Sequence, residues 1–342
     1  MILAVRFLLM ALCFCTNVVY AAMGLTQIAA RNGAPEVTVF YPALGAAPMI
    51  ERAKLRFAAA VDAPVQNGNG RLIVMSHGSG STAWAYADLA AQLVQDGFIV
   101  AVPTHQQDNA QNSEHAGPES WKTRPAEISA AIDVIARTPR FAQQLKLDRV
   151  GLYGLSAGGH TALTFAGGRW SPARMIAHCQ THIRADFNAC AGLVFAQQGN
   201  WLDDAKAWLV QRVLSWRFSD ATVYAYHDPR IAAIVAGVPY AADFDLNSLR
   251  NPRVPLALIT ARQDVWLHPQ FHSDALLNAC QRCIHLHDFK MGGHGAMLSP
   301  SRHYTDPLLI KLLGDLPQFD RRETALVNQK VSQYFRQQLL AR

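Results

Sequence analysis

The chain has 342 residues, of which half are hydrophobic and 16% charged, with a formal net charge of +6. That composition excludes a disordered or fibrous protein, and the length allows one large core or two modest ones. The mild basic excess is spread along the chain without a dense Lys/Arg run, which argues against a nucleic-acid partner.

Met1 to Val19 carries one charge, Arg6, and an apolar run through Leu12 and Phe14. Val19-Tyr20-Ala21 then offers short residues where a signal peptidase reads. Residues 1–21 are therefore expected to be a signal peptide, cleaved after Ala21 or Ala22, and the protein to be exported to the periplasm or secreted. The run is short for a membrane span, and no later stretch is long enough for one. Four cysteines remain beyond it, Cys179, Cys190, Cys280 and Cys283. Three disulfide pairings are open to them, and local pairing is preferred.

Glu36 to Pro42 alternates like a strand, and Gly45 to Gly70 reads as loop. Leu72 to Ser76 is a buried strand running into His77-Gly78-Ser79-Gly80-Ser81. A helix follows from Trp84 to Gln95, then a strand from Phe98 to Val102. Gln106 to Lys122 is polar and reads as a surface loop, with Pro125 near the start of the next helix. Val150 to Tyr153 is a strand that turns sharply at Gly154-Leu155-Ser156-Ala157-Gly158 into another helix. Strands that alternate with helices of ten to fifteen residues indicate a mostly parallel sheet with helices on both faces.

The rhythm breaks between Gly168 and Asp228, where no strand stands out and Trp201, Ala205, Trp208, Leu209 and Val213 mark an amphipathic helix. About residues 169–228 are expected to form a helical cap inserted into a single domain spanning 22–342. Strands resume at Ile231–Val238, Val254–Thr260 and Ile284–Phe289, with a helix at Pro269–Ala279 and a closing one at Glu323–Leu340.

The G-x-S-x-G match carries chemistry because a serine hydroxyl needs an exposed oxygen, a nearby base and donors for the oxyanion. A tight strand-to-helix turn supplies the first. In an open parallel sheet the partners lie beyond the carboxyl ends of strands. Asp264 follows Val254–Thr260, and His294 follows the last strand inside Met291-Gly292-Gly293-His294-Gly295. Ser156 as nucleophile, His294 as base and Asp264 as its orienting acid are the expected triad, with Asp243 and Asp245 as alternative acids. Ala157 and Ser79 are the expected oxyanion donors through their backbone N–H groups, and His77 is expected to brace the loop. His160, the pair His178 and His182, and the pair His285 and His287 give no convincing metal site, and no cofactor is expected.

These residues resemble the α/β-hydrolase superfamily. From Leu72 to Asn109 the resemblance is to its dienelactone hydrolase-like and platelet-activating-factor acetylhydrolase-like branch. It is carried by VMSHGSGSTAWAYADLAAQLVQDGFIVAVPTHQQDN, GLYGLSAGGHTAL, ALITARQDVWLHP and MGGHGAML. It implies hydrolysis of carboxylic esters or lactones through an acyl-enzyme, on a small-molecule or lipid-like substrate. Two features depart from the pattern. Gly237-Val238-Pro239 has no acid where the acetylhydrolases carry theirs, and dienelactone hydrolase resembles this chain with cysteine at the nucleophile position. An acyltransferase with the same triad and a non-catalytic binding protein on the same fold stay open as alternatives. Trp201, Trp208, Trp216 and Trp266 are expected either to line an apolar pocket or to form the core of the cap.

Overall fold

The computed structural model describes residues 22–192, 195 and 197–341, so the expected signal segment lies outside the described residues. A nine-stranded sheet forms its centre. In chain order the strands are β1 (Ala22–Ile28), β2 (Val37–Ala43), β3 (Ala60–Val61), β4 (Leu72–Ser76), β5 (Ile99–Pro103), β6 (Val150–Leu155), β7 (Ile231–Gly237), β8 (Leu256–Ala261) and β9 (Ile284–Phe289). Across the sheet they run β9-β8-β7-β6-β4-β5-β2-β1-β3. The six from β9 to β5 are parallel, whereas β2 is antiparallel to both β5 and β1.

Strand alternation builds two cores, one on each face. Leu72 and Val74 pack with Val150, Leu152, Ile234 and Leu258 in one of them. Ile73 and Met75 pack with Tyr153, Leu155, Val235 and Ile259 in the other. The first face is covered by α2 (Pro118–Arg137), through Trp121, Ile128 and Ile132, and by α3 (Ala157–Phe165), whose nine residues are all buried. The second is covered by α1 (Ala87–Gln95), through Leu89 and Leu93, and by the last helix, Arg322–Leu340, through Val327, Val331 and Phe335.

Three stretches differ from the sequence reading. Gly45–Gly70 contains a hairpin, Met49–Arg52 with Leu55–Ala58, and the edge strand β3. Its strands are too short for their alternation to stand out. Helix α2 begins at Pro118, seven residues before Pro125; its first turns bury Ser120 and Arg124 beside Trp121, and those polar residues mask the inward face in the sequence. The segment 169–228 is mainly helical, with α4 (Pro172–His182), α5 (Phe187–Ala191) and α6 (Leu202–Arg217), but it opens on a short strand. Arg169–Trp170 pairs antiparallel with Phe244–Asp245, and Trp170 also bridges to Tyr224. Cys179 is bonded to Cys190 and Cys280 to Cys283, the local pairing.

Candidate functional site

Strand β6 ends against a turn that only small neighbours allow. Ser156 has φ 57° and ψ −117°, a conformation that costs a non-glycine residue on the order of 1–3 kcal/mol. Its N–H donates to the Gly237 carbonyl (3.0 Å), and its own carbonyl accepts from the N–H groups of His160 (3.0 Å) and Tyr240 (3.3 Å). A Cβ added to Gly154 would sit 2.0 Å from the Gly158 carbonyl oxygen, and one added to Gly158 would sit 1.9 Å from that of Ser76. The glycines of G-x-S-x-G are thus a packing requirement: they let the turn close against β4 with the serine at its apex.

The loop after β4 passes beside that apex, since a Cβ on Gly78 would lie 3.6 Å from the Ser156 Cβ. The Gly78 N–H donates to the Tyr86 hydroxyl (2.9 Å), the Gly80 N–H to Asp108 Oδ1 (2.9 Å) and the Ser81 N–H to the Gly78 carbonyl (3.3 Å). The Ser79 N–H has no acceptor among the described residues. Nor does that of Ala157, the first residue of α3, whose helical position leaves it without an intrahelical partner. Ser79, Ala157 and Ser156 all line one cavity of about 650 Å³.

Asp264 follows β8, is 2% exposed, and is fixed at both oxygens. Oδ1 accepts from the N–H groups of Trp266 (2.9 Å) and Leu267 (2.8 Å), and Oδ2 lies 2.7 Å from His294 Nδ1. His294 is itself 3% exposed, and its ring packs 5.1 Å from that of Trp266, a wall of the Ser156 cavity. Geometry therefore joins Asp264 to His294 directly and brings Ser156, Ala157 and Ser79 to one cavity. Among the described residues the Ser156 hydroxyl has no hydrogen-bond partner.

The rival residues are engaged elsewhere. Asp243 pairs with His160 (3.0 Å), both fully buried, in a cage that includes Trp121, Trp170 and Phe244. Asp245 pairs with Arg169 (3.0 Å). His178 binds Asp186, His285 faces Thr260 and His287 binds Glu323. Among the described residues no group of three or more His, Cys, Asp and Glu could hold a metal ion.

The four tryptophans expected to act together divide instead. Trp266 lines the cavity, whereas Trp201 (81% exposed), Trp208 and Trp216 (84%) do not and face outward. On α6 it is Ala207, Val210 and Leu214 that are buried, so the helix is seated by its smaller apolar residues. Leu209, Val210, Val213 and Leu214 reach the cavity, opposite Trp121, Met175 and Tyr240.

Two further residues of this site, Asp108 and Arg124, went unread in the sequence. Both are fully buried, and they form a 2.8 Å ion pair under the Ser79 loop. The signal was available: Asp108 lies just beyond the carboxyl end of β5, where this kind of sheet gathers its functional groups.

His77 braces the same loop. Its Nδ1–H donates to the Gly78 carbonyl (2.8 Å), and Nε2 accepts from the His105 N–H (3.3 Å), a neutral tautomer. Burial, then the nearby His105 and Arg124, hold its pKa well below the ordinary histidine value; burial and Arg124 do the same to His105. Unfolding frees both to bind protons below about pH 6.5. Stability that is complete above that pH is thus lost as the pH falls towards the folded-state values, by up to about 1.4 kcal/mol per pH unit for each histidine. Glu127, which burial pushes up and whose carboxylate lies 2.5 Å from His105 Nδ1, offsets part of this. Urea unfolding at pH 7.5, 6.5 and 5.5 is expected to show this slope, and a smaller one in His105→Gln. An equal slope in both proteins would contradict it.

No family model matches the sequence, and no curated protein matches it. Among solved structures the chain is similar to a ferulic acid esterase from Streptomyces cinnamoneus. The identity is 17% and the TM-score 0.59, over 96% of this chain and 93% of the other. A likeness that covers both chains at this identity speaks to architecture alone. The chain has an α/β-hydrolase-type fold.

Proposed function

We propose that this protein is an exported serine hydrolase that cleaves carboxylic esters, in the dienelactone hydrolase-like and acetylhydrolase-like branch of its fold. The observation that carries the reading is the convergence on one cavity. The strained Ser156 lines it together with Ser79 and Ala157, whose N–H groups have no acceptor among the described residues, and Trp266 of its wall packs against the Asp264-anchored His294.

The chemistry follows from those positions. His294 Nε2 takes the Ser156 proton as the oxygen attacks the ester carbonyl. The tetrahedral oxyanion is held by the Ser79 and Ala157 N–H groups. Collapse breaks the ester C–O bond, and His294 returns the proton to the departing alcohol. Water, deprotonated by His294, then attacks the acyl-serine, and the carboxylic acid leaves with Ser156 restored. Asp264 keeps the Nδ1 proton in place and balances the imidazolium.

The largely apolar lining favours esters of bulky apolar groups, and a volume near 650 Å³ falls within the range typical of small-molecule sites. Esters of aromatic acids such as the one named for the structural neighbour belong in this class. Residues 169–228 act as the cap in this reading, because α6 supplies one wall of the cavity. The two disulfides and the Met1–Ala21 segment support export to an oxidising compartment.

The test is a series of p-nitrophenyl esters of increasing acyl length, with a feruloyl ester added, and labelling of Ser156 by a fluorophosphonate. Turnover with labelling supports the reading. Neither would leave a binding protein, and labelling without hydrolysis a transferase. Val213→Trp replaces a half-exposed wall residue and narrows the cavity. It is expected to lower kcat/KM for the longest productive ester by about tenfold or more while sparing the acetate, since pocket contacts contribute about 1–3 kcal/mol each. An unchanged length profile would remove α6 from the substrate wall.

A further inference from the structure

We propose that Asp108 and Arg124 are positioning residues for the oxyanion site: they fix the Ser79 N–H at the place where the negative charge develops. This rests on the ester-hydrolase reading above. Asp108 is fully used. Oδ1 accepts from the Ser79 hydroxyl (2.7 Å) and the Gly80 N–H (2.9 Å), and Oδ2 from the Ser120 hydroxyl (3.2 Å) and Arg124 Nη2 (2.8 Å). Arg124 closes the frame, with Nη1 donating to the His77 carbonyl (2.6 Å) and Nη2 also to that of Asp108 (3.3 Å).

The pair therefore grips the loop on both sides of one peptide. His77 is held through its carbonyl, Ser79 through its hydroxyl and Gly80 through its N–H. Among the described residues, the one N–H in the Gly78–Ser81 run left without an acceptor is that of Ser79, which lines the same cavity as Ser156. Stability is a poor reason for this construction. A buried ion pair recovers little more than its desolvation cost, and here Arg124 Nε is buried with no partner. What the arrangement delivers is rigidity. A donor that must not move when charge appears is worth most when its loop is already tied down.

The experiment compares Asp108→Asn, Arg124→Lys and Ser79→Ala with the wild type, all titrated for active sites with a fluorophosphonate. Asparagine must turn its NH₂ towards either the loop donors or Arg124, and lysine cannot span the His77 and Asp108 acceptors together. Ser79→Ala keeps the backbone N–H and removes only the hydroxyl anchor, so it is the variant expected to fold without difficulty. The expected result is a fall in kcat per active site of about 10- to 100-fold for the two buried substitutions, smaller for Ser79→Ala, with KM nearly unchanged. Affinity for an alkyl boronate, which forms a tetrahedral anion on Ser156, should fall by the same factor as kcat/KM. A merely structural role would lower the unfolding temperature and the titrated fraction but leave kcat per site and boronate affinity as in the wild type, and that result overturns the proposal. If the buried variants do not fold, an unchanged kcat and boronate affinity in Ser79→Ala overturns it alone. A wild type inert towards every ester and unlabelled by the fluorophosphonate would instead remove the hydrolase reading on which it rests.

Discussion

Replacing Ser156 with alanine is expected to lower kcat for ester hydrolysis by about 10⁵- to 10⁶-fold, with the fold intact. Under the proposed mechanism the size follows from the loss of the covalent step: without Oγ no acyl-enzyme would form, and only the proposed oxyanion donors and binding would remain to assist water. The intact fold follows from what Ser156 does locally. Among the described residues its hydroxyl holds no hydrogen bond, and its three backbone bonds, to Gly237, Tyr240 and His160, survive the change. Alanine accepts the positive φ about as badly as serine does, so the strain cancels between the two proteins. The unfolding temperature should move by no more than a few degrees, and a non-hydrolysable substrate analogue should bind as before. A folded Ser156→Ala protein that still turned over esters at more than a hundredth of the wild-type rate would place the nucleophile elsewhere.

How much of this was legible in the sequence depended on whether a residue's role shows in its immediate neighbours. Strands β4 to β8 are short apolar runs bounded by turns, and their alternation with helices gave the parallel sheet directly. Ser156 was legible because glycines at 154 and 158 report a tight turn in one dimension. Asp264 and His294 were legible only through the rule that such sheets gather their chemistry beyond the carboxyl ends of strands. The 2.7 Å contact across 30 residues is a tertiary fact.

Asp108 and Arg124 were missed for the opposite reason. Polar residues in a polar stretch look solvated, and their burial is created by His77, Ser79 and Ser120 arriving from other segments. The same blindness hid the start of α2, since Ser120 and Arg124 occupy its inward positions. In α6 the error ran the other way: large apolar residues look like core, but Trp201, Trp208 and Trp216 sit on the outward side of a helix seated by Ala207, Val210 and Leu214.

Asp264→Asn should cost about 10⁴-fold in kcat, and the hydrogen bonds around the carboxylate say why so small a change matters so much. The Trp266 and Leu267 N–H groups both donate to Oδ1. An asparagine here must present its carbonyl oxygen to those two donors, which turns its NH₂ towards His294 Nδ1. That NH₂ can only donate, so Nδ1 becomes the acceptor and the imidazole proton moves to Nε2. The nitrogen that takes the Ser156 proton in the proposed mechanism then carries one already, and that base would be lost with the geometry preserved. Asp264→Ala leaves Nδ1 free of this constraint, so the alanine variant is expected to retain more activity than the asparagine one, despite removing more atoms. KM should change little in either, since the carboxylate lies behind the imidazole, and neither variant should lose its fluorophosphonate site altogether. Near-wild-type turnover in Asp264→Asn would transfer the acid's role to another carboxylate. Asp243 is a poor substitute because His160 already holds it 3.0 Å away in a sealed aromatic cage.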